Sequence, residues 1–182
     1  MENTYIFAGS GGQGVQTLGQ LMVYAAHDAN KFTTYLPAYG GEMRGGASNC
    51  TVKISDEEIG APAAKIYDNV VVFNYLSYTL FKDKTAPGGN LFVNTSLISD
   101  PTAPEGVNLI PIAINELTEQ AGSATAANVV MFGFVNAYVG DIPLDTAKAV
   151  MLKKMGHKKE YLEINSKAFD LGVEAAKNFK AR

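Results

Sequence analysis

Tyr5-Ile-Phe-Ala-Gly-Ser-Gly-Gly-Gln-Gly-Val-Gln-Thr-Leu18 reads as strand, glycine turn and helix start in immediate succession. Tyr5 to Ala8 is a short apolar run of strand-forming residues. Gly9, Gly11, Gly12 and Gly14 then supply a turn, and Val15 opens a stretch of helical spacing in which Val15, Leu18, Leu21, Met22, Ala25 and Ala26 share one face. Glycines permit positive φ and leave no side chain between the turn and whatever approaches it. The free N–H groups of a first helical turn, with the positive end of the helix dipole, favour a phosphate or carboxylate. Gly9, Gly11, Gly12 and Gly14 are therefore a candidate cofactor-binding turn, and a bulky side chain at Gly11 or Gly12 is expected to meet close approach or positive φ.

The spacing also fits G-x-G-x-x-G, the pattern of a dinucleotide-binding turn. Such folds place an acidic residue about 20 positions later, at the end of the second strand, to hold the ribose. Here that place is Thr33-Thr-Tyr-Leu-Pro37, with no carboxylate, and Asp28 comes too early. A self-contained NAD- or FAD-binding domain thus stands as the alternative reading of the turn.

Outward from this unit, the chain alternates strands and helices over its 182 residues. Strands are expected at Phe32 to Leu36, Ser48 to Ile54, Val70 to Phe73, Asn90 to Val93 and Asn108 to Pro111. Thr51 and Lys53 should form the wet face of the second of these. Helices are expected at Ser77 to Lys82, Ala113 to Gln120, Ala124 to Tyr138, Leu144 to Met155 and Lys158 to Lys180. The last should pack through Tyr161, Ile164, Ala168, Leu171 and Ala175. Alternation of this kind argues for a single three-layer α/β/α domain over residues 1–182, with a Rossmann-like glycine turn and a mainly parallel or mixed sheet.

Composition narrows the function. With 47% hydrophobic and 18% charged residues the chain is of globular type. A net charge of −3 argues against a general nucleic-acid binder, which needs clustered Lys and Arg. No apolar run reaches the ~18 residues of a membrane span. The chain enters its first strand at once, without a signal-peptide pattern, and its one cysteine, Cys50, suits a reducing compartment, so a cytoplasmic location is expected. His27 and His157 lie far apart, Asp141 and Asp145 read as helix-start residues around Pro143, and no spacing marks a metal site or a catalytic residue.

A second glycine-rich stretch, Tyr39-Gly-Gly-Glu-Met-Arg-Gly-Gly46, offers opposite charges on a loop whose backbone can be approached closely. Gly40, Gly41, Glu42, Arg44, Gly45 and Gly46 are a candidate partner- or substrate-facing loop, set against the plainer reading of a solvated turn with a local ion pair. Arg44 carries a planar fork of donors suited to a carboxylate or phosphate.

The Gly9 to Gly14 turn, the Glu42-x-Arg44-Gly-Gly46 loop and the following Ser48-Asn-Cys-Thr-Val-Lys-Ile-Ser-Asp56 together resemble the gamma subunit of the 2-oxoacid:ferredoxin oxidoreductases. The likeness continues through Pro62, Asp68-Asn-Val-Val-Val72, Ala127-Asn-Val-Val-Met-Phe-Gly133 and Glu163-Ile-Asn-Ser-Lys-Ala-Phe169. It departs at Gly41, where many relatives have Pro. The resemblance implies part of an enzyme that converts a 2-oxoacid and coenzyme A to acyl-CoA, CO2 and reduced ferredoxin. It implies thiamine diphosphate and iron–sulfur clusters in partner subunits, and no cofactor held by this chain alone. It further implies alpha and beta, and in some cases delta, subunits as partners, with ferredoxin engaged through the complex and neither nucleic acid nor membrane. The Ser48 to Val52 segment is more similar to the 2-oxoglutarate or branched-chain types than to the pyruvate type.

Overall fold

A computed structural model describes residues 1–38, 48–156 and 159–181. At its centre β1 (Glu2–Gly9) pairs parallel with β4 (Tyr67–Val72) on one side and antiparallel with β3 (Ser48–Ser55) on the other. β2 (Phe32–Ala38) completes one edge, and β5 (Thr85–Asn94) and β6 (Asn108–Ile112) the other, giving the order β2-β3-β1-β4-β5-β6. β3 alone runs against the other strands, so the sheet is mixed.

Alternation along the strands divides the core. Tyr5, Phe7, Cys50, Val52, Val71, Phe73 and Phe92 face one side; Ile6, Ala8, Val70, Val72, Leu91 and Val93 face the other. The first side is covered by α1 (Val15–Asp28), α3 (Ile114–Ala121), α4 (Ala127–Val139), α5 (Leu144–Met155) and α6 (Lys159–Lys180). The second carries, among the described residues, α2 (Tyr75–Phe81) and the segments around Ala64 and from Ile98 to Val107. Three layers result, one of them thin.

Sequence signals set the element ends. α1 stops where Asn30 takes φ 58, the left-handed region that Asn tolerates, and Lys31 N donates to Ala26 O at 2.9 Å. The predicted apolar face of α1 is buried residue for residue. α4 is buried along nearly its whole length: Phe134 meets Phe92 of β5 edge-on at 6.2 Å, while Phe132 meets Phe169 of α6 at 5.8 Å. The thick side is thus two helices deep, with α4 between the sheet and α6. A Cβ at Gly133 would strike the backbone of Phe169, and one at Gly172 that of Val130, so these glycines let α4 and α6 cross backbone to backbone.

Three expectations change. Thr51 is not on a wet face: it is 6% exposed and its hydroxyl lies 3.5 Å from the Tyr67 phenol, which with the segment around Ala64 covers that face of β3. Tyr161 is 49% exposed and not on the buried face of α6, which runs through Ile164, Ala168, Leu171 and Ala175. Asp141 is not a helix-start residue; it accepts hydrogen bonds from Asn3 (2.7 Å) and Tyr5 (2.5 Å), tying the α4–α5 turn to β1. Burial, with the Asp141 carboxylate second, pushes the Tyr5 phenol well above its ordinary pKa. No helix among the described residues is long and apolar enough to cross a membrane.

Candidate functional site at the carboxyl edge of the sheet

β1 and β4 are parallel neighbours whose chains leave their carboxyl ends toward opposite faces, β1 into α1 and β4 into α2. Such a switch point opens a crevice outside the strand ends, the usual ligand position in α/β sheets. The glycine turn lies in it.

Gly9 ends β1 with no room for a side chain: a Cβ there would sit 2.7 Å from Gln13 Oε1 and 3.1 Å from Phe73 Cβ. Gly12 and Gly14 take φ 90 and φ 73, which glycine alone adopts without strain. Gly11 departs from the expectation. Its φ is not in the left-handed region and an added Cβ would meet nothing within 4 Å, so within this chain Gly11 is under no constraint.

Polar side chains knit the turn to the crevice. Gln13 Oε1 accepts from Ser10 N at 2.7 Å and from Asn74 Nδ2 at 3.3 Å, and Asn74 Nδ2 also donates to Ser10 Oγ at 2.6 Å. Asn74 Oδ1 meanwhile caps α2 by accepting from Ser77 N. Gly14 is the N-cap of α1, and no side chain caps that helix, so its first-turn N–H groups lack an acceptor from a cap. Against Gly14 lies Asn128, in the first turn of α4. The Asn128 side chain is buried, its Nδ2 is 3.5 Å from Gly14 O, and its Oδ1 has no partner. An uncapped helix start and an unpaired buried acceptor therefore adjoin one another, a setting fit for an anion beside an amide or hydroxyl of the same ligand.

The loop carrying Gly40, Gly41, Glu42, Arg44, Gly45 and Gly46 lies outside the described residues, as does His157. Its two anchors do not. Ser48 pairs with Gly9 at the end of β1, and Ala38 pairs with Asn49. Gln16 of α1 donates to Ser48 Oγ (3.1 Å) and Asn49 O (2.8 Å), and accepts from the Tyr35 hydroxyl at 2.6 Å. Ala38 and Ser48, the described residues on either side of that stretch, thus both lie at the edge that holds the glycine turn. Strand order, invisible in the sequence, is what brings Ala38, Ser48 and the glycine turn to one edge.

Other chemistry is sparse. Cys50 is buried on β3 against α1, and burial raises its thiol to about 12. His27 sits exposed in the last turn of α1, away from the crevice. Ser10, Gln13, Asn74 and Asn128 were not singled out by sequence reasoning. Asn74, an Asn directly before a short apolar helix, carries a capping signal that could have been read; Asn128 carries none, since its role depends on a contact 114 residues away. An open groove of about 620 Å3 runs between α5 and α6, lined by Leu152, Leu162, Ser166 and Leu171 and by none of the carboxyl-edge residues.

Comparison with known proteins gives one consistent result. Residues 4–175 match the family model described as pyruvate ferredoxin/flavodoxin oxidoreductase. The ketoisovalerate oxidoreductase subunit VorA of Methanothermobacter thermautotrophicus is 34% identical over 173 residues, which are 93% of this chain but 35% of that protein. The chain therefore spans about a third of the length of the ketoisovalerate oxidoreductase subunits it matches. The 2-oxoglutarate synthase subunit KorC of Methanocaldococcus jannaschii is 32% identical over 174 residues, 93% of this chain and 91% of that one. Among solved structures, the gamma subunit of keto/oxoacid ferredoxin oxidoreductase from Geobacter sulfurreducens superposes with a TM-score of 0.84 at 28% identity, covering 97% of this chain and 99% of its own. The 2-oxoglutarate:ferredoxin oxidoreductase of Magnetococcus marinus, solved with 2-oxoglutarate, coenzyme A and succinyl-CoA, superposes with a TM-score of 0.89 at 27% identity, over 97% of this chain and 31% of that one.

Proposed function

The chain belongs to the pyruvate ferredoxin/flavodoxin oxidoreductase family, and on that premise we propose that residues 1–182 act as one gamma domain, the coenzyme A-side subunit of a cytoplasmic 2-oxoacid:ferredoxin oxidoreductase. The reaction converts a 2-oxoacid and coenzyme A to acyl-CoA and CO2 and passes two electrons to ferredoxin. Thiamine diphosphate and iron–sulfur clusters, held by alpha, beta and in some cases delta subunits, supply the carbanion and electron chemistry. This chain has no set of ligands for a cluster, which takes about four thiolates. Its one cysteine is buried in β3 with its thiol raised to about 12.

The observation that carries the proposal is the glycine turn at the β1/β4 switch point, uncapped at Gly14 and walled by Ser10, Gln13, Asn74 and Asn128. The first-turn N–H groups of α1 hold a phosphate of coenzyme A, and Asn128 Oδ1 accepts from an amide or hydroxyl of the same ligand. Arg44 belongs to the stretch between Ala38 and Ser48, the described ends of which pair at that edge, and its guanidinium is the group assigned to a carboxylate or phosphate of the ligand. The dinucleotide alternative is not favoured: β3 lies between β1 and β2, and β2 ends in Leu36-Pro37-Ala38 with no carboxylate for a ribose. Among 2-oxoacids we assign 2-oxoglutarate. The support is the higher identity, over nine-tenths of both chains, to the 2-oxoglutarate synthase subunit of Methanocaldococcus jannaschii, 32%, than to the pyruvate synthase subunit PorC of Thermotoga maritima, 28%.

Calorimetric titration of the purified chain with coenzyme A, NAD and FAD tests the reading. Saturable heat with coenzyme A and none with NAD or FAD is expected. Arg44→Lys should weaken coenzyme A binding by about tenfold, because Lys keeps the charge but loses the bidentate fork. Micromolar NAD or FAD binding would overturn the reading.

A further inference from the structure

α2 carries no charged side chain on any face. Ser77, Tyr78 and Phe81 turn inward, while Tyr75, Leu76, Thr79 and Leu80 occupy one continuous outward arc. Tyr75 is 64% exposed and Leu76 and Leu80 nearly half exposed, and no charged residue occurs between Tyr75 and Phe81. The outward faces of the longer helices are unlike this: α6 presents Glu163, Lys167, Asp170 and Glu174 to solvent, and α5 presents Lys153 and Lys154. Tyr75, Leu76 and Leu80, exposed together on one uncharged arc, make a contiguous apolar patch of the kind that marks an interaction site.

Two observations indicate what covers it. First, the arc begins at the crevice, since the residue that caps α2, Asn74, is bonded to Ser10 and Gln13 of the glycine turn. A ligand seated there has to deliver its reacting end to the chain that carries thiamine diphosphate, so that chain abuts the crevice mouth and, with it, the first turn of α2. Second, this domain is about a third of one longer polypeptide in the ketoisovalerate oxidoreductase subunits, yet nine-tenths of a separate polypeptide in the 2-oxoglutarate synthase subunits. A tether supplies high effective concentration where the domain is fused; a separate chain has to hold its neighbour by surface alone.

Resting on the function proposed above, we infer that the outward face of α2, Tyr75, Leu76, Thr79 and Leu80, is the docking surface for the thiamine diphosphate-binding subunit. At its far end Lys82 lies 5.2 Å from the Tyr78 ring and Lys84 4.8 Å from the Phe81 ring, with Asp83 between them. The matching surface is therefore an uncharged apolar strip that ends in carboxylates.

Leu80→Glu in the full chain, mixed with the purified thiamine diphosphate-binding subunit, tests this by sedimentation or interferometry. Association should weaken by about tenfold or more, the size expected for a central apolar anchor, while the melting temperature of the free variant stays near that of the wild type. Unchanged association overturns the inference. So does a wild-type chain that self-associates and is made monomeric by the substitution, since the face then serves a second copy. Should the variant melt early, amide exchange on the wild-type chain decides instead: slowed exchange in Tyr75–Phe81 on mixing supports docking, and unaltered exchange refutes it. The coenzyme A titration keeps the two proposals apart. Intact docking without coenzyme A binding removes the functional reading alone, whereas intact coenzyme A binding without docking through α2 removes this one.

Discussion

Two glycines of the same turn answer to different constraints. Gly14 holds φ 73 and would place a Cβ 2.6 Å from Asn128 Nδ2, whereas Gly11 has open space and no positive φ. Gly14→Ala should therefore destabilise the isolated chain by about 1–3 kcal/mol through backbone strain and displacement of Asn128. Gly11→Ala should leave the melting temperature unchanged, and any loss it causes in coenzyme A titration then reports ligand approach at Gly11 directly. Thermal melts of both variants, each followed by that titration, check the pair. Glycines count alike in a motif. Only the backbone angles and Asn128, brought in from α4, tell them apart, and neither is local to the pattern.

Elements with a strong period were the readable ones. α1 shows its buried face in Val15, Leu18, Leu21, Met22, Ala25 and Ala26, and the short apolar runs of β4 and β5 mark strands buried on both sides. Thr51 departs from its alternation because the Tyr67 phenol, held to Ala64 O, lies over that face of β3, and the pattern within the strand carries no sign of that cover. The α4–α6 crossing was hidden for another reason: Gly133 and Gly172 look like weak points in helices until the facing backbone is known. Gly172→Ala should push α4 and α6 apart and cost about 1–3 kcal/mol. A chain of this size loses roughly 2–4 °C of melting temperature per kcal/mol, which a thermal scan resolves. A melting temperature at or above the wild type's would mean that the two helices part freely.

At the scale of the molecule, the mixed order β2-β3-β1-β4-β5-β6 decides what the site can be. It inserts β3 beside β1, separates the glycine turn from the end of β2, and returns both anchors of the 39–47 loop to the edge where α1 begins. Alternating hydrophobicity revealed an α/β chain but not this order, because strand neighbours are chosen by tertiary pairing. The resemblance in motifs carried the function further than periodicity could. The account predicts a protein that does no redox chemistry by itself and supplies the coenzyme A side of a larger enzyme. Reconstitution tests it most directly: the thiamine diphosphate- and cluster-bearing subunits are assayed on 2-oxoglutarate, coenzyme A and oxidised ferredoxin, with and without this chain. Succinyl-CoA should form at an appreciable rate only when the chain is added, and the chain alone should form none. Full-rate succinyl-CoA formation without it, or turnover by the chain by itself, would contradict the account.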